Sequence, residues 1–309
     1  MKHKQIKLNK VLITGALGQN GRILSSIFLR KKFKVYGFIK KNKKNKLKNV
    51  NYILENLKNK KKILKHLNKI KPNIIIHLAS INKTYSERSN KDNYHNNYFL
   101  NLKITKNLVD AINHINLKPK FIFAGSSLMF NNFRKKIVSE KDTFKSNDYY
   151  SKYKIDAYKY IKKHSKNNFF STTVILFNHD SKHRDKSFLI PKIIKSFRDK
   201  NTKFIRKIYD LNISGDFSHA EDICLGIYKI SILSKNIDKI ILSSGRRFYL
   251  NSLIKFLEKK FILNINKNYS FNKKNFKVIG SNNMAKKLIN YKPKKTLIDV
   301  CKEILNVHK

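Results

Sequence analysis

The sequence predicts an α/β protein built on a doubly wound parallel sheet, with a smaller, mostly helical lobe towards the C-terminus. Three observations support this fold class. A short apolar run near the N-terminus passes through a glycine-rich turn into an amphipathic stretch. Apolar strand patterns then alternate with helical patterns up to residue 180, as they do in a parallel sheet covered by helices. Beyond residue 180 the alternation weakens and helical patterns prevail.

The first strand, turn and helix lie in the stretch KVLITGALGQNGRIL, residues 10–24. Its glycines Gly15, Gly18 and Gly21 are spaced three residues apart. In such a unit the first glycine permits the tight turn, the second lets the backbone approach a pyrophosphate, and the third lets the helix pack on the strand. Because a helix N-terminus presents unpaired N–H groups to an anion, the unit predicts a dinucleotide-binding, Rossmann-like domain.

The later elements continue the pattern. Strands are predicted over 34–39, 51–54, 73–79, 120–124, 171–177 and 240–244, and helices over 22–30, 58–71, 94–115 and 149–163. We expect residues 1–180 to form the dinucleotide-binding domain, with 236–244 returning to its sheet. The segments 181–235 and 245–309 are expected to form the substrate-binding lobe.

Composition sets the broad class. The 309 residues are 41% hydrophobic, which suffices for a full core, and they carry a net charge of +50. Lysine is spread over nearly every segment together with Asn and Ile, three residues with A/T-rich codons, so base composition accounts for the charge. We therefore expect salt-sensitive adhesion to polyanions and no specific nucleic-acid site.

Other features point to a cytoplasmic protein without a resident metal. No run of about 18 apolar residues indicates a membrane span. Cys224 and Cys301 lie far apart and suggest neither a disulfide framework nor metal ligation.

The end of the second predicted strand bears on the choice of cofactor. A carboxylate there would bind the ribose hydroxyls of NAD, whereas a cation accommodates the 2′-phosphate of NADP. Lys40 and Lys41 occupy this place. The sequence therefore favours NADP over NAD.

Candidate catalytic residues follow the strand predicted over 120–124. Ser126 lies two residues after the strand, and Tyr150 and Lys154 stand about one turn apart at the start of a later helix. A tyrosine that exchanges a proton with a sugar hydroxyl or ketone needs a lowered pKa, which a neighbouring ammonium provides. Four other tyrosines also have a lysine four residues later, but Tyr150 alone follows a strand that ends in serine. The pattern predicts general acid–base chemistry coupled to hydride transfer.

Several segments together resemble the extended short-chain dehydrogenase/reductases, and within them the GDP-mannose 4,6-dehydratases. The similar segments are TGALGQNG (14–21), VYGFIKK (35–41), NIIIHLAS (73–80), NLKIT (101–105), LFNHDSKHRDKSFLIPKI (176–193), GDFSHAEDI (215–223) and GSNNMAKKLINYKP (280–293). The first matches the family's TGxxGQDG with Asn20 in place of Asp, and the similarity runs nearly end to end.

The resemblance implies roles for individual residues. The implied catalytic residues are Ser126, Tyr150 and Lys154. The implied cofactor-binding residues are Thr14, Gly15, Gly18, Gln19, Asn20, Gly21, Lys40, Lys41, Asn56, Leu78, Ala79, Asn101, Tyr150 and Lys154. The implied substrate-binding residues are Glu140, Asn178, Arg184, Phe188, Lys192 and His219.

The resemblance also implies an activity. The substrate would be a nucleoside-diphosphate sugar, with GDP preferred. Hydride transfer at sugar C4 through NADP, with loss of water, would give a 4-keto-6-deoxy sugar. We expect a homodimer or tetramer, because relatives of this fold pair through the helices predicted over 94–115 and 149–163.

Two departures from the family pattern keep alternatives open. The dehydratases carry a glutamate two residues after the catalytic Ser/Thr, and Leu128 stands there in this chain. Gly215 replaces an arginine near the substrate, for which Arg206, Arg246 or Arg247 are candidate substitutes. A 4-reductase or an epimerase of a keto-deoxy sugar is therefore the first alternative. A non-catalytic, NADP-binding protein associated with nucleic acid is the second.

Overall fold

A parallel sheet organises the chain. The computed structural model describes residues 9–42, 46–81, 91–130, 136–265 and 277–306. Within these ranges seven parallel strands form the central sheet: β1 Lys10–Thr14, β2 Lys34–Ile39, β3 Val50–Leu54, β4 Ile74–His77, β5 Lys120–Ala124, β7 Ser171–Leu176 and β11 Lys239–Leu242. The predicted fold class is confirmed.

The strand order is β3-β2-β1-β4-β5-β7-β11. The order reverses between β1 and β4, and a doubly wound sheet binds its ligand outside the carboxyl ends of the strands at this switch point. Thr14 at the end of β1 lies in register with His77 at the end of β4. The late strand β11 pairs with β7 at the outer edge of the sheet.

Ten helices are present in the described part of the chain: α1 Gln19–Arg30, α2 Lys60–Ile70, α3 Lys91–His114, α4 Tyr149–Ser165, α5 Leu189–Arg198, α6 Thr202–Asp210, α7 Ala220–Ser231, α8 Leu250–Phe261, α9 Asn283–Ile289 and α10 Leu297–Asn306. Alternate strand residues point to opposite faces of the sheet. Val11 and Ile13 pack with α1, α7 and α9 on one face, whereas Leu12 packs with α2, α3 and α4 on the other.

A separate apolar core lies towards the C-terminus. It is formed by α5, α6, α8 and α10, with Phe197, Leu253 and Val300 fully buried in it. Short strand pairs border this core: β8 Asn178–Asp180 with β10 Phe217–His219, β9 Ser214–Gly215 with β12 Phe248–Tyr249, and β6 Ile137–Val138 with β13 Ile279–Gly280. Two helices from the segments expected to form the substrate lobe, α7 and α9, instead pack on the main sheet.

Candidate active site

The glycine turn after β1 folds tightly on itself. Gly15 has φ +69°, a conformation that side chains disfavour. A Cβ on Gly21 would lie 2.4 Å from the carbonyl oxygen of Gly15, so only glycine fits there. Gly18 caps α1 and brings no side chain to the helix N-terminus. The first N–H groups of α1 therefore face a site that suits a pyrophosphate.

A buried histidine holds the end of β1 against the end of β4. Thr14 Oγ1 lies 2.8 Å from His77 Nδ1 and accepts hydrogen bonds from the N–H groups of Leu78 and Ala79 at 3.1 and 3.0 Å. His77 Nε2 lies 3.0 Å from Thr105 Oγ1.

The hydrogen-bond directions follow from the partners. Thr105 gives its hydroxyl proton to a backbone carbonyl on α3, so its oxygen accepts from His77 Nε2–H. Thr14 already accepts two hydrogen bonds, so its own proton goes to His77 Nδ1. The imidazole is therefore neutral. Burial lowers its pKa to about 3, and the Lys154 charge acts in the same direction.

The other predicted cofactor residues lie along the same edge of the sheet. Lys40 and Lys41 are exposed just beyond β2. Asn56 is exposed beyond β3, where its Oδ1 accepts from a backbone N–H in the next turn. Asn101 is buried, and both ends of its amide bond the backbone of Ile81. Asn101 therefore holds the loop that follows β4 to helix α3.

Ser126 lies two residues beyond β5, at the carboxyl edge of the sheet. Its Oγ accepts a hydrogen bond from the N–H of Leu128 at 3.2 Å and caps the 3₁₀ turn Ser127–Met129. The side chain of Leu128 is 40% exposed on this turn. The position where the family carries a glutamate is thus a surface position close to Ser126.

Helix α4 carries Tyr150 and Lys154 about one turn apart, and Lys154 contacts the end of β5. Asp148 caps the helix by accepting from the N–H of Ser151 at 2.7 Å, which fixes the first turn where Tyr150 stands. Lys154 is buried, and its Nζ donates to the carbonyl of Ala124 at 2.7 Å. Because Ala124 ends β5, the helix is anchored to the strand that leads into Ser126.

Aromatic rings surround the Lys154 ammonium. Its Nζ lies 4.8 Å from the ring centroid of Phe123, 4.9 Å from that of Tyr153 and 5.6 Å from that of Tyr150. Ring faces attract a cation, but burial is the larger effect and lowers the pKa of Lys154 to about 7. The ammonium is present below that pH and is lost above it.

Arg184, one of the predicted substrate residues, contacts both an aromatic ring and a carboxylate. Its guanidinium lies 3.6 Å above the ring centroid of Phe188, and its Nε is 2.9 Å from Oδ1 of the buried Asp180. Burial raises the pKa of Asp180 and the Arg184 charge opposes that rise. Stacking and ion pairing together fix the plane of the guanidinium.

The remaining predicted substrate residues have varied surroundings. Asn178 is exposed and donates to a backbone carbonyl. Lys192 is exposed, with Nζ 4.9 Å from an aromatic ring centroid. Glu140 Oε1 accepts from the N–H of Ile241 on the edge strand β11. His219 is buried, and its Nδ1 accepts from the N–H of Glu221 at the start of α7.

Sequence reasoning missed three organising carboxylates. Asp148 caps α4, and the D-x-x-S pattern just before the helix was a usable signal. Asp180 is the counterion of Arg184, four residues away. Asp216 is fully buried and accepts from the N–H groups of Ser244 and Gly245. No local pattern signals that last contact, because its partners are nearly thirty residues away.

In the described part of the chain no three His, Cys, Asp or Glu side chains are grouped so that they could hold a metal ion. Among the helices described there, none combines the length and apolar character needed to cross a membrane.

Fold and site together define a protein of the extended short-chain dehydrogenase/reductase class. Its backbone is similar to those of solved nucleotide-sugar epimerases. A UDP-glucuronic acid 4-epimerase from Bacillus cereus in complex with NAD gives a TM-score of 0.79 at 19% identity, with 96% of each chain covered. A UDP-glucose 4-epimerase from Thermotoga maritima with UDP-glucose gives 0.81 at 14% identity, with 97% of this chain and 98% of that chain covered.

The family model for GDP-mannose 4,6 dehydratase matches residues 12–304. The chain belongs to this family. The human GDP-mannose 4,6 dehydratase is 23% identical over 300 residues, which cover 88% of this chain and 76% of the human protein. GDP-mannose 4,6 dehydratase 2 of Caenorhabditis elegans is 24% identical over 258 residues, which cover 77% of this chain. The chain spans 66%, slightly less than two thirds, of the worm protein.

The hydroxyl of Thr14 can be tested against a matched threonine in the same sheet. Thr14→Val removes the acceptor for two amides and the donor to His77, so we expect the free energy of unfolding to fall by about 1–3 kcal/mol. Thr172 is equally buried, but its hydroxyl has no hydrogen-bond partner among the described residues, so Thr172→Val should be neutral or stabilising. Urea unfolding measures both variants. Equal losses in the two would contradict the role given to Thr14.

Proposed function

We propose that this chain binds NADP and a GDP-linked sugar and oxidises the sugar at C4, as the first step of a GDP-mannose 4,6-dehydratase reaction. The observation that carries the proposal is the anchoring of α4 on the end of β5. Because Ser126 lies two residues beyond that strand end, the contact supports our assignment of Ser126, Tyr150 and Lys154 to one site at the ligand-binding edge of the sheet.

The glycine turn and its neighbours fit a dinucleotide. The N-terminus of α1 would take the pyrophosphate, and the loops after β3 and β4, with Asn56, Leu78 and Ala79, would border the nucleosides. Lys40 and Lys41 would take the 2′-phosphate of NADP. When bound, the nicotinamide supplies a hydride acceptor and, in reduced form, a hydride donor.

The chain's own residues move and hold the proton. Tyr150 takes the proton of the sugar's 4-hydroxyl when C4 is oxidised, and returns it when a 4-ketone is reduced. Ser126 orients the reacting oxygen by hydrogen bonding. The Lys154 ammonium favours ionisation of Tyr150, and because burial lowers the pKa of Lys154 to about 7, this support is strongest below that pH.

The substrate residues support a diphosphate-linked sugar. Arg184, held flat on Phe188, presents a planar cation suited to phosphate or hydroxyl oxygens. Lys192 adds an exposed cation one turn into α5. The preference for GDP comes from the family and the names of the relatives.

Leu128 favours a second candidate function, reduction or epimerisation at C4 without loss of water. Elimination needs a base positioned near the sugar, and removal of such a base typically costs about 10²–10⁴-fold in rate. An aliphatic side chain stands where the family has that glutamate.

The second departure from the family pattern is Gly215, which replaces an arginine near the substrate. Arg247 donates to Oγ of the neighbouring Ser214 at 3.0 Å, which supports Arg247 as the substitute for that arginine.

A homodimer or tetramer is part of the proposal. An aromatic cluster lies across the outer faces of α3 and α4, with His95 packed against Phe99 and Tyr149. Phe99 is 55% exposed and Tyr149 is 38% exposed. A second copy of the chain would cover these rings through the same two helices.

The products formed from GDP-mannose distinguish the candidates. The protein is incubated with GDP-mannose and catalytic NADP⁺, and the products are analysed by mass spectrometry for their composition and by NMR for their stereochemistry. Loss of one water supports the dehydratase. Without that loss, reduction of a GDP-4-keto-6-deoxy sugar by NADPH supports the reductase, and a change of stereochemistry alone supports the epimerase. We expect Leu128→Glu to raise any dehydration rate. Inertness towards all these substrates would contradict the proposal.

Tyr150 has a matched control on its own helix. Tyr158 also precedes a lysine by four residues, but it lies about two turns further along α4 and its hydroxyl donates to Asp238 at 2.8 Å. We expect Tyr150→Phe to lower kcat by about 10²–10⁴-fold with the Kd for NADP⁺ little changed. Tyr158→Phe should retain nearly full turnover. Equal effects of the two substitutions would exclude Tyr150 as the acid–base residue.

The cofactor preference is tested at the end of β2. Replacing Lys40 and Lys41 together by alanine should weaken NADP⁺ binding by about tenfold or more, because each charged hydrogen bond to phosphate is worth roughly 1.5–3 kcal/mol. Binding of NAD⁺, which lacks this phosphate, should be unchanged. The same double change at the exposed Lys60 and Lys61 on α2 is the control. Equal affinity of the unmodified protein for NADP⁺ and NAD⁺ would refute the preference. Calorimetric titration measures each Kd.

A further inference from the structure

The glycine turn also touches the substrate segment directly. Gln19 Nε2 donates to the carbonyl of His179 at 3.1 Å, and Gln19 Oε1 accepts from Ser181 Oγ at 3.1 Å. Asn20 Nδ2 lies 2.9 Å from His179 Nε2. Both side chains at the start of α1 therefore reach across about 160 residues of sequence to the segment Asn178–Arg184.

The directions of these bonds can be assigned. His179 Nδ1 lies 2.6 Å from the carbonyl of Phe177, and a carbonyl only accepts, so Nδ1 carries the proton. Both ends of the Asn20 amide lie near Nε2, with Nδ2 at 2.9 Å and Oδ1 at 3.1 Å. In the neutral ring Nε2 accepts, so its donor is the Nδ2–H of Asn20. Gln19 Nε2 lies 3.5 Å from Asn20 Oδ1, which agrees with this orientation of the amide.

The same contacts set the position of Arg184. Ser181 is fixed by Gln19, and the turn from Ser181 closes with the N–H of Arg184 donating to the Ser181 carbonyl at 3.0 Å. From there Arg184 lies on Phe188 and pairs with Asp180. A continuous chain of contacts thus joins the anion-binding turn to the predicted substrate arginine.

We propose that Gln19 and Asn20 are positioning residues for the nucleotide sugar: they clamp Asn178–Arg184 to the glycine turn, so that cofactor occupancy and nucleotide-sugar affinity are coupled. This inference rests on the proposed function. Asparagine at position 20, where the family's motif has Asp, donates to a neutral histidine and keeps the clamp closed at neutral pH.

The groups around His179 favour its neutral form. Burial lowers the pKa of His179 to about 4, and the Arg184 charge acts in the same direction. Other ionisable groups on the elements packed around it include Asp180 on its own strand, Arg22 on α1, His219 ahead of α7, Glu221, Asp222 and Cys224 on α7, and Glu303 on α10. Asp180 is paired with Arg184, and Glu303 with Lys182 and His219.

Asn20→Asp replaces the amide that donates to His179 by a carboxylate of nearly the same shape. A carboxylate cannot donate to His179 Nε2, so the contact re-forms only when His179 takes up a proton. The carboxylate raises the pKa of His179, so the pair holds below that pKa and is lost as the pH rises through it. The clamp becomes pH-dependent in this variant, whereas in the unmodified protein it is not.

The first readout is the Kd of GDP-mannose, measured by calorimetry at pH 6 and pH 8 with saturating NADP⁺. We expect less than a twofold difference for the unmodified protein and about tenfold weaker binding at pH 8 for Asn20→Asp. Adding His179→Gln to Asn20→Asp supplies an amide donor and should remove the pH dependence. Asn107→Asp is the control, because Asn107 makes a comparable amide contact, with Leu57 and Lys58, far from the clamp.

The second readout is hydrogen exchange of residues 178–184, with and without NADP⁺, expressed as protection at each pH. NADP⁺ should increase protection in the unmodified protein and in Asn107→Asp, and much less in Asn20→Asp at pH 8. If GDP-mannose does not bind the unmodified protein, the proposed substrate fails while exchange still decides the clamp. Identical protection in Asn20→Asp and the unmodified protein at both pH values would overturn the inference.

Discussion

The neutral imidazole of His77 is the constraint on which the ligand-binding edge depends. A buried ring with one donor and one acceptor must find one partner of each kind. Thr14 and Thr105 supply them, and this joins β1, β4 and α3 in one hydrogen-bonded relay. Because Thr14 also accepts from Leu78 and Ala79, the relay sets the spacing between the glycine turn and the loop after β4. The position of the glycine turn relative to this loop therefore depends on the buried side chains of His77 and Thr105.

Carboxylates are scarce in this chain, and several of those described form hydrogen bonds that hold the backbone. The sequence has 19 acidic residues against 69 Lys and Arg. Two of them accept hydrogen bonds from backbone N–H groups: Asp148 at the start of α4, and Asp216 at the turn of Ser244 and Gly245. Most of the cations among the described residues lie on outer faces, where water and salt screen their repulsion. Lys120 and Lys154 are buried instead, and burial lowers the pKa of both ammonium groups.

The sequence predicted elements better than contacts. The strand expected over 120–124 has those bounds in the structure. All five of its residues are buried, as expected of a strand that is covered on both faces of a parallel sheet. The three-residue strands β8 and β10 carry no such pattern, since their pairing depends on residues 39 positions apart. The same reason hides the Glu140 contact with β11 and the contact of Asn20 with His179. Local patterns placed Ser126, Tyr150 and Lys154 on the correct elements, but only the folded chain relates them to one strand end.

Under the proposed function, the residues assigned to hydride transfer and the position assigned to elimination lie on different elements, and this bears on how such chemistry can diverge. The residues proposed to act at C4 belong to elements that hold each other: Lys154 is buried against the end of β5, and Tyr150 stands in a capped helix turn. Leu128 instead lies on a one-turn 3₁₀ segment, where its side chain is 40% exposed and its backbone N–H donates to Ser126. Because an exposed side chain contributes little to the core, it can change at small cost in stability. On this proposal, losing or regaining a carboxylate at this position would alter which product is formed while oxidation and reduction at C4 continue.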